Sequence, residues 1–167
     1  MITRLFAIVI AIVATVVSAI AVGAQGSSFT GNWTMDTDRS FGLPRNMRQV
    51  MKVVHDGEQI EIETKLITAE SENVIKDSYL VDGDEHEFTP QGPKGPLPGK
   101  GKRAAKWLPN GKGLVVEEET TTDTPNGPVT SHLTRKWTLS SNGELVIDMY
   151  IDGPNGSYET KRIFKRT

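Results

Sequence analysis

From Gly26 onward the apolar residues of this chain recur at every second position. In "QIEIETKLI", Ile60, Ile62 and Leu66 fall on one face, and Glu61, Glu63 and Lys65 on the other. "HLTRKWTL" sets Leu133, Trp137 and Leu139 together, and "ELVIDMYI" does the same for Leu145, Ile147, Met149 and Ile151. A period of two is that of a half-buried strand, because successive side chains point to opposite faces of a sheet. Between the runs lie Asp56-Gly57, Asp82-Gly83, Asn110-Gly111, Asn126-Gly127, Asn142-Gly143 and Asn155-Gly156. Such dipeptides tolerate the positive φ of tight hairpin turns.

The pattern predicts about ten strands. They centre on "GNWTMD", "RQVMKVVH", "QIEIETKLI", "NVIKDSYLV", "EHEFT", "RAAKWLP", "GLVVEEETT", "SHLTRKWTL", "ELVIDMYI" and "SYETKRIFK". No window carries a helical period, although "DTDRSFGLPRNM" has room for one short helix or 3₁₀ turn between the first two strands. A meander of this length protects its edges by closing on itself. The expected fold is all-β: a single antiparallel up-and-down barrel of about eight to ten strands, with an apolar interior and a charged exterior. "TPQGPKGPLPGKGKR" breaks the pattern with four prolines and is expected to be a long exposed loop that gates the barrel mouth, touches an anionic partner through Lys94, Lys100, Lys102 and Arg103, or is idle.

The N-terminus reads differently. "MITR" is followed by an uncharged, mostly apolar run of 18 residues, Leu5–Val22, and then by "VGAQG", with Val22 and Ala24 at the −3 and −1 positions of a cleavage site. Residues 1–24 are expected to be a secretory signal, and 25–167 the barrel domain. The run is also just long enough to span a bilayer, so an uncleaved anchor is the alternative and would be the chain's one link to a membrane.

Without Arg4, 18 basic and 21 acidic residues remain, a charge of −3 that gives no footprint for nucleic acid. There are no cysteines, hence no disulfides and no thiolate chemistry. No nucleophile elbow, zinc-protease helix, P-loop or dinucleotide fingerprint occurs. The expectation is a non-enzyme without cofactor or metal, and a monomer. Asp82, Asp84, Glu85, His86 and Glu87 crowd one turn, but alternate residues of a strand diverge, which does not suit a metal site.

Two arginines stand out. The last ten residues, "YETKRIFKRT", place Arg162 on the inward face with Tyr158, Thr160 and Phe164. Arg135 lies between Leu133 and Trp137 on theirs. A guanidinium inside an apolar barrel is costly unless it is paired or reaches water. Both are therefore candidates to hold a ligand carboxylate or phosphate bidentately, Arg135 ahead of Arg162. For Arg135 the alternative is an ion pair with Glu118, which alternates onto the side of Leu114 and Val116. Trp33, Trp107 and Trp137 are expected on inner faces, where they either line a cavity or fill the core. Trp107 and Trp137 are the candidates to lie beside a ligand's tail. Thr64, Ala105, Thr120 and Thr160 are small enough to leave space.

"FTGNWTMD" resembles the first strand of lipocalins and fatty-acid-binding proteins, the calycin group, and "TKRIFKR" resembles their closing strand, with Arg162 two residues before Phe164. The rhythm of tryptophan, leucine, turn and leucine in "AAKWLPNGKGLVV" and "RKWTLSSNGELVI" is similar to that of small secreted bacterial lipocalin-like proteins. The resemblance spans most of residues 28–167 and implies a lipocalin-like barrel, secreted or periplasmic. It also implies two departures from fatty-acid-binding proteins. Phe164 stands where they usually carry a tyrosine, and Asp36–Met47 is too short for their two-helix lid. As calycin closing-strand arginines commonly do, Arg162 would stack on Trp33 if it held no ligand.

Two functions from different classes follow. One is a binding module for a small apolar or amphipathic ligand with an acidic head. The other is an envelope structural or interaction protein with a solid core and no ligand. On the localisation, sequencing the N-terminus of the exported protein is expected to return Gln25 as its first residue. Met1 retained in a membrane pellet would favour the anchor.

Overall fold

The structure, a computed structural model, describes residues 28–44, 46–92 and 94–167. The expected signal segment, 1–24, lies outside them. Alternation has become strands throughout: β1 (Gly31–Met35), β2 (Arg48–Asp56), β3 (Gln59–Ile67), β4 (Glu72–Leu80), β5 (Glu85–Phe88), β6 (Gln91–Gly92), β7 (Gly95–Pro96), β8 (Lys100–Trp107), β9 (Gly113–Thr124), β10 (Gly127–Leu139), β11 (Leu145–Gly153) and β12 (Gly156–Arg166). Ten form one antiparallel sheet in the order β4-β3-β2-β1-β12-β11-β10-β9-β8-β5, and β6 and β7 form a separate two-residue hairpin. All ten strands expected from the sequence are present. The turn dipeptides act as expected: Gly57, between β2 and β3, has φ +61°, and Gly143, between β10 and β11, has φ +78°.

The sheet is a meander curled so that its first and last strands meet. β1 pairs with β12, Trp33 opposite Arg166 and Met35 opposite Phe164. Trp33, Met35 and Phe164 are all buried in the core that this pairing closes. Register then carries one face around the curl. Leu114, Trp137, Ile147 and Arg162 stand in one row across β9 to β12, and Val116, Arg135, Met149 and Thr160 in the next. The other face carries exposed ion pairs such as Lys102–Glu85 and Lys106–Glu117, which add little to stability.

Closure is not complete. No ladder joins β4 to β5, which leaves a slit between the two sheet edges. The structure is thus the expected all-β antiparallel fold of ten strands, curled into a half-barrel whose edges are bridged by side chains.

Two local expectations are corrected. Among the described residues of 36–47 there is no helix or 3₁₀ turn, only turns at 37–39 and 46 and a bridge from Phe41 to Lys161. The chain runs back along β12 here. Gly42, at φ +73°, passes so close to Thr160 that a Cβ would sit 2.7 Å from its Cγ2, and this path does not suit a helix. The Pro/Gly loop is a folded element. Leu97 N–H donates to the Pro90 carbonyl (2.8 Å), β6 and β7 pair inside that loop, and β6 packs against β4.

Candidate functional site

The inner face is built in three zones, and the sequence sets each. The floor is aromatic. Phe29 lies stacked on Trp107 (centroids 5.9 Å apart) and edge-on to Trp137 (5.7 Å), and Trp137 meets Tyr79 edge-on at 6.0 Å. Such offset and edge-on pairs are the favoured aromatic geometries. Trp33 ties the floor down by donating from Nε1 to the Phe29 carbonyl (3.0 Å).

Above the floor lies a belt of charge. Glu118, on β9, projects inward because it alternates with Leu114 and Val116, and it is buried. Its Oε1 accepts two hydrogen bonds of 2.6 Å, one from Arg103 Nε on β8 and one from Arg135 Nη1 on β10. Arg103 continues across the slit. Its Nη1 donates to Asp77 Oδ1 (2.8 Å) and to the Ser78 carbonyl (2.7 Å), and its Nη2 to Asp77 Oδ2 (3.1 Å). Its guanidinium lies between the rings of Phe88 (3.9 Å) and Tyr79 (4.7 Å). Gly101 permits this, since a Cβ there would fall 2.3 Å from the Phe88 ring.

Two cations and two anions balance, so the belt is internally neutral. Its bonds are the short, charge-assisted kind, and they offset the desolvation of four charged groups. Burial works against the Arg135 charge, but the facing Tyr79, Glu118 and Asp77 outweigh it, and its pKa is raised. Burial also pushes the Tyr79 hydroxyl well above its ordinary value.

Arg162 belongs to no such network. It is 9% exposed, and its Nη1 donates to the carbonyls of Phe41 (3.0 Å) and Lys161 (3.3 Å). Among the described residues no carboxylate pairs with it, and burial alone lowers its pKa. Its Nε and the Oγ1 of Thr160, the next inward residue of β12, are both buried without a hydrogen-bond partner. Unsatisfied buried polar groups are costly, so these two neighbours on one strand call for a partner, as does the buried Nε1 of Trp137.

The third zone is the open end. Thr64, Leu66, Thr120, Leu133 and Ile151 continue the inner face but are only half-buried, and Tyr158 is 58% exposed.

Each of the expected site residues therefore has a place. Trp107 and Trp137 share the floor, on either side of Phe29. Arg135 has Glu118, its expected alternative partner. Arg162 does not stack on Trp33. Register puts Arg166 opposite Trp33, and it is the Arg166 guanidinium that lies 4.5 Å from that ring. Arg135 and Arg162 are not joined through a common anion. Strand β11 separates them, with Met149 opposite Arg135 and Ile147 opposite Arg162. Thr160 and Ala105 are buried, while Thr64 and Thr120 face the open end.

Sequence reasoning missed Arg103 and Asp77. The signal was present: alternation in "RAAKW" puts Arg103 with Ala105 and Trp107, and "DSY" puts Asp77 with Tyr79. Arg103 was counted with the Pro/Gly loop before it.

No family model and no curated protein sequence matches the chain. Solved structures do. Zebrafish ileal bile acid-binding protein, complexed with cholic acid, is similar over 84% of this chain and 100% of its own, with TM-score 0.51 and 17% identity. Secretory abundant heat soluble protein 4 from Ramazzottius varieornatus is similar over 83% of this chain and 94% of its own, with TM-score 0.48 and 13% identity. The first likeness shows the fold: the curled antiparallel architecture is shared with the bile acid-binding protein, as the resemblance implied.

Glu118→Gln leaves two buried guanidinium groups short of an anion. The expected loss in unfolding free energy is about 3–5 kcal/mol, read by chemical denaturation, and that of Arg135→Met is smaller because Glu118 keeps Arg103. A loss for Glu118→Gln below about 1 kcal/mol would show that the belt does not depend on it.

Proposed function

We propose that this chain is an exported, non-catalytic binding protein that holds a small amphipathic ligand with an anionic head inside the barrel. The observation that carries this reading is Arg162: a buried guanidinium without a carboxylate, beside a buried Thr160 hydroxyl without a partner. A carboxylate head would accept from Arg162 Nε and from Thr160 Oγ1, and so relieve both. Arg162 thus takes the place of first anchor, and Arg135, already paired with Glu118, becomes the second. The tail would lie toward the half-buried apolar residues of the open end, with Trp107 and Trp137 below it. The cholic acid held by the zebrafish structure supports a small ligand of this class on this fold. Export rests on the N-terminal sequence alone.

Tryptophan fluorescence during titration with long-chain fatty acids tests the reading. Wild type is expected to bind saturably. Arg162→Met is expected to weaken binding about tenfold or more with stability kept, since a charge-assisted hydrogen bond is worth about 1.5–3 kcal/mol, and Arg135→Met is expected to weaken it less. Absence of binding by a folded wild type would dismiss the proposal in favour of an envelope interaction protein with a solid core.

A further inference from the structure

Among the described residues the large sheet has two free edges, β4 and β5, and the slit between them is a wedge. At its narrow end Gly83 N–H donates to the Ala105 carbonyl (3.0 Å). Beyond β5 the chain runs back into the β6–β7 hairpin, which packs against β4 and bounds the other end. Between these points only side chains span the gap. A cleft of about 720 Å³ opens there, and its walls come from both sides of the sheet. Val54 and Leu80 belong to the outer face, and Ile62, Phe88 and Arg103 to the inner one. The cleft therefore cuts through the barrel wall.

Arg103 stands across its inner side. All three of its hydrogen bonds to β4 go to Asp77 and Ser78. Asp77 also accepts from Ser78 N–H (3.0 Å), so one carboxylate and one guanidinium occupy the backbone groups that Ser78 presents at the edge. On its other side Arg103 remains held by Glu118. Asp77 is more solvent-exposed than Arg103 or Glu118, with 23% of its side-chain surface accessible.

We propose that this slit is the port through which an amphipathic anion reaches the barrel, Arg103 being the group its head meets first and Asp77 the group it displaces. The exchange replaces one carboxylate by another on the same planar fork, while Glu118 keeps the guanidinium in place. Asp77 is released toward water, and with it the main tie between β4 and β8. At the open end the inner face offers only apolar and hydroxyl side chains, among them the half-buried Leu133 and Ile151 and the exposed Tyr158. The port rests on the binding reading for its cargo, but its opening does not.

Two measurements separate the proposals. In stopped-flow with cis-parinaric acid, Asp77→Asn is expected to raise association and dissociation rates together by about tenfold or more, the scale of one charge-assisted hydrogen bond, with Kd little changed. Arg103→Lys, which keeps the cation but loses the fork, is expected to act in the same direction and serves if Asp77→Asn does not fold. Rates equal to wild type in the folded variants would mean that the ligand uses the open end and would overturn the port. If wild type binds nothing, the binding reading fails and a ligand-free readout decides the opening. In a chain without other cysteines, Ile62→Cys reports through its labelling rate with an anionic thiol reagent. Faster labelling when combined with Asp77→Asn or Arg103→Lys supports a latch, and an unchanged rate overturns it.

Discussion

The reach of one side chain across a gap in the sheet holds this fold together. Hydrogen-bond ladders run without a break from β4 through β1 and β12 to β5, but they do not join β4 to β5. Arg103 does so in their place, with Glu118 behind it and Asp77 in front. An exposed sheet edge invites pairing with another chain. Here the central backbone groups of the β4 edge are already taken, because Ser78 donates to Asp77 and accepts from Arg103.

That arrangement constrains the rest of the interior. The two inward carboxylates are bound to two guanidinium groups, so the belt contributes no net charge, and Arg135 is drawn into structure. The third inward arginine is left outside the balance. Arg162 has carbonyl partners on one nitrogen and a buried Nε with none, and Thr160 beside it repeats the deficit. Below lies an aromatic floor, and above lies an open end whose inner face is half-buried. The interior is thus aromatic at one end, latched in the middle and open at the other, with buried polar atoms on Arg162, Thr160 and Trp137 that have no hydrogen-bond partner.

The fold was legible in the sequence because each strand carries its own period and each turn its own dipeptide. β3 matches its run residue for residue. β9 and β10 are longer than expected, since their ends, Thr122–Thr124 and Gly127–Thr130, lack an apolar alternation to read. The pairing of Arg135 with Glu118 was also visible, because consecutive strands joined by a tight turn fix their own register, and Glu118 falls opposite Leu133. What local pattern does not carry is long-range register. Arg162 and Arg166 lie on the same face of β12, and only the β1–β12 pairing decides that Arg166 meets Trp33. Asp77 and Arg103 meet across the one place where there is no ladder, so no hairpin rule could pair them. The path of residues 40–44 over Thr160 is likewise set by a bridge to β12, more than a hundred residues away in the chain.

The central claim, that the Arg103–Asp77 contact closes the barrel, is tested most directly by a double-mutant cycle on Arg103→Met and Asp77→Asn, with unfolding free energies from chemical denaturation. Each single variant unbalances the buried belt, whereas the double variant leaves Arg135 and Glu118 as a neutral pair. The account predicts a coupling of about 2 kcal/mol or more, the double variant being more stable than the two single losses imply. A coupling within about 0.5 kcal/mol of zero would contradict it, since sites that do not interact are additive to that degree.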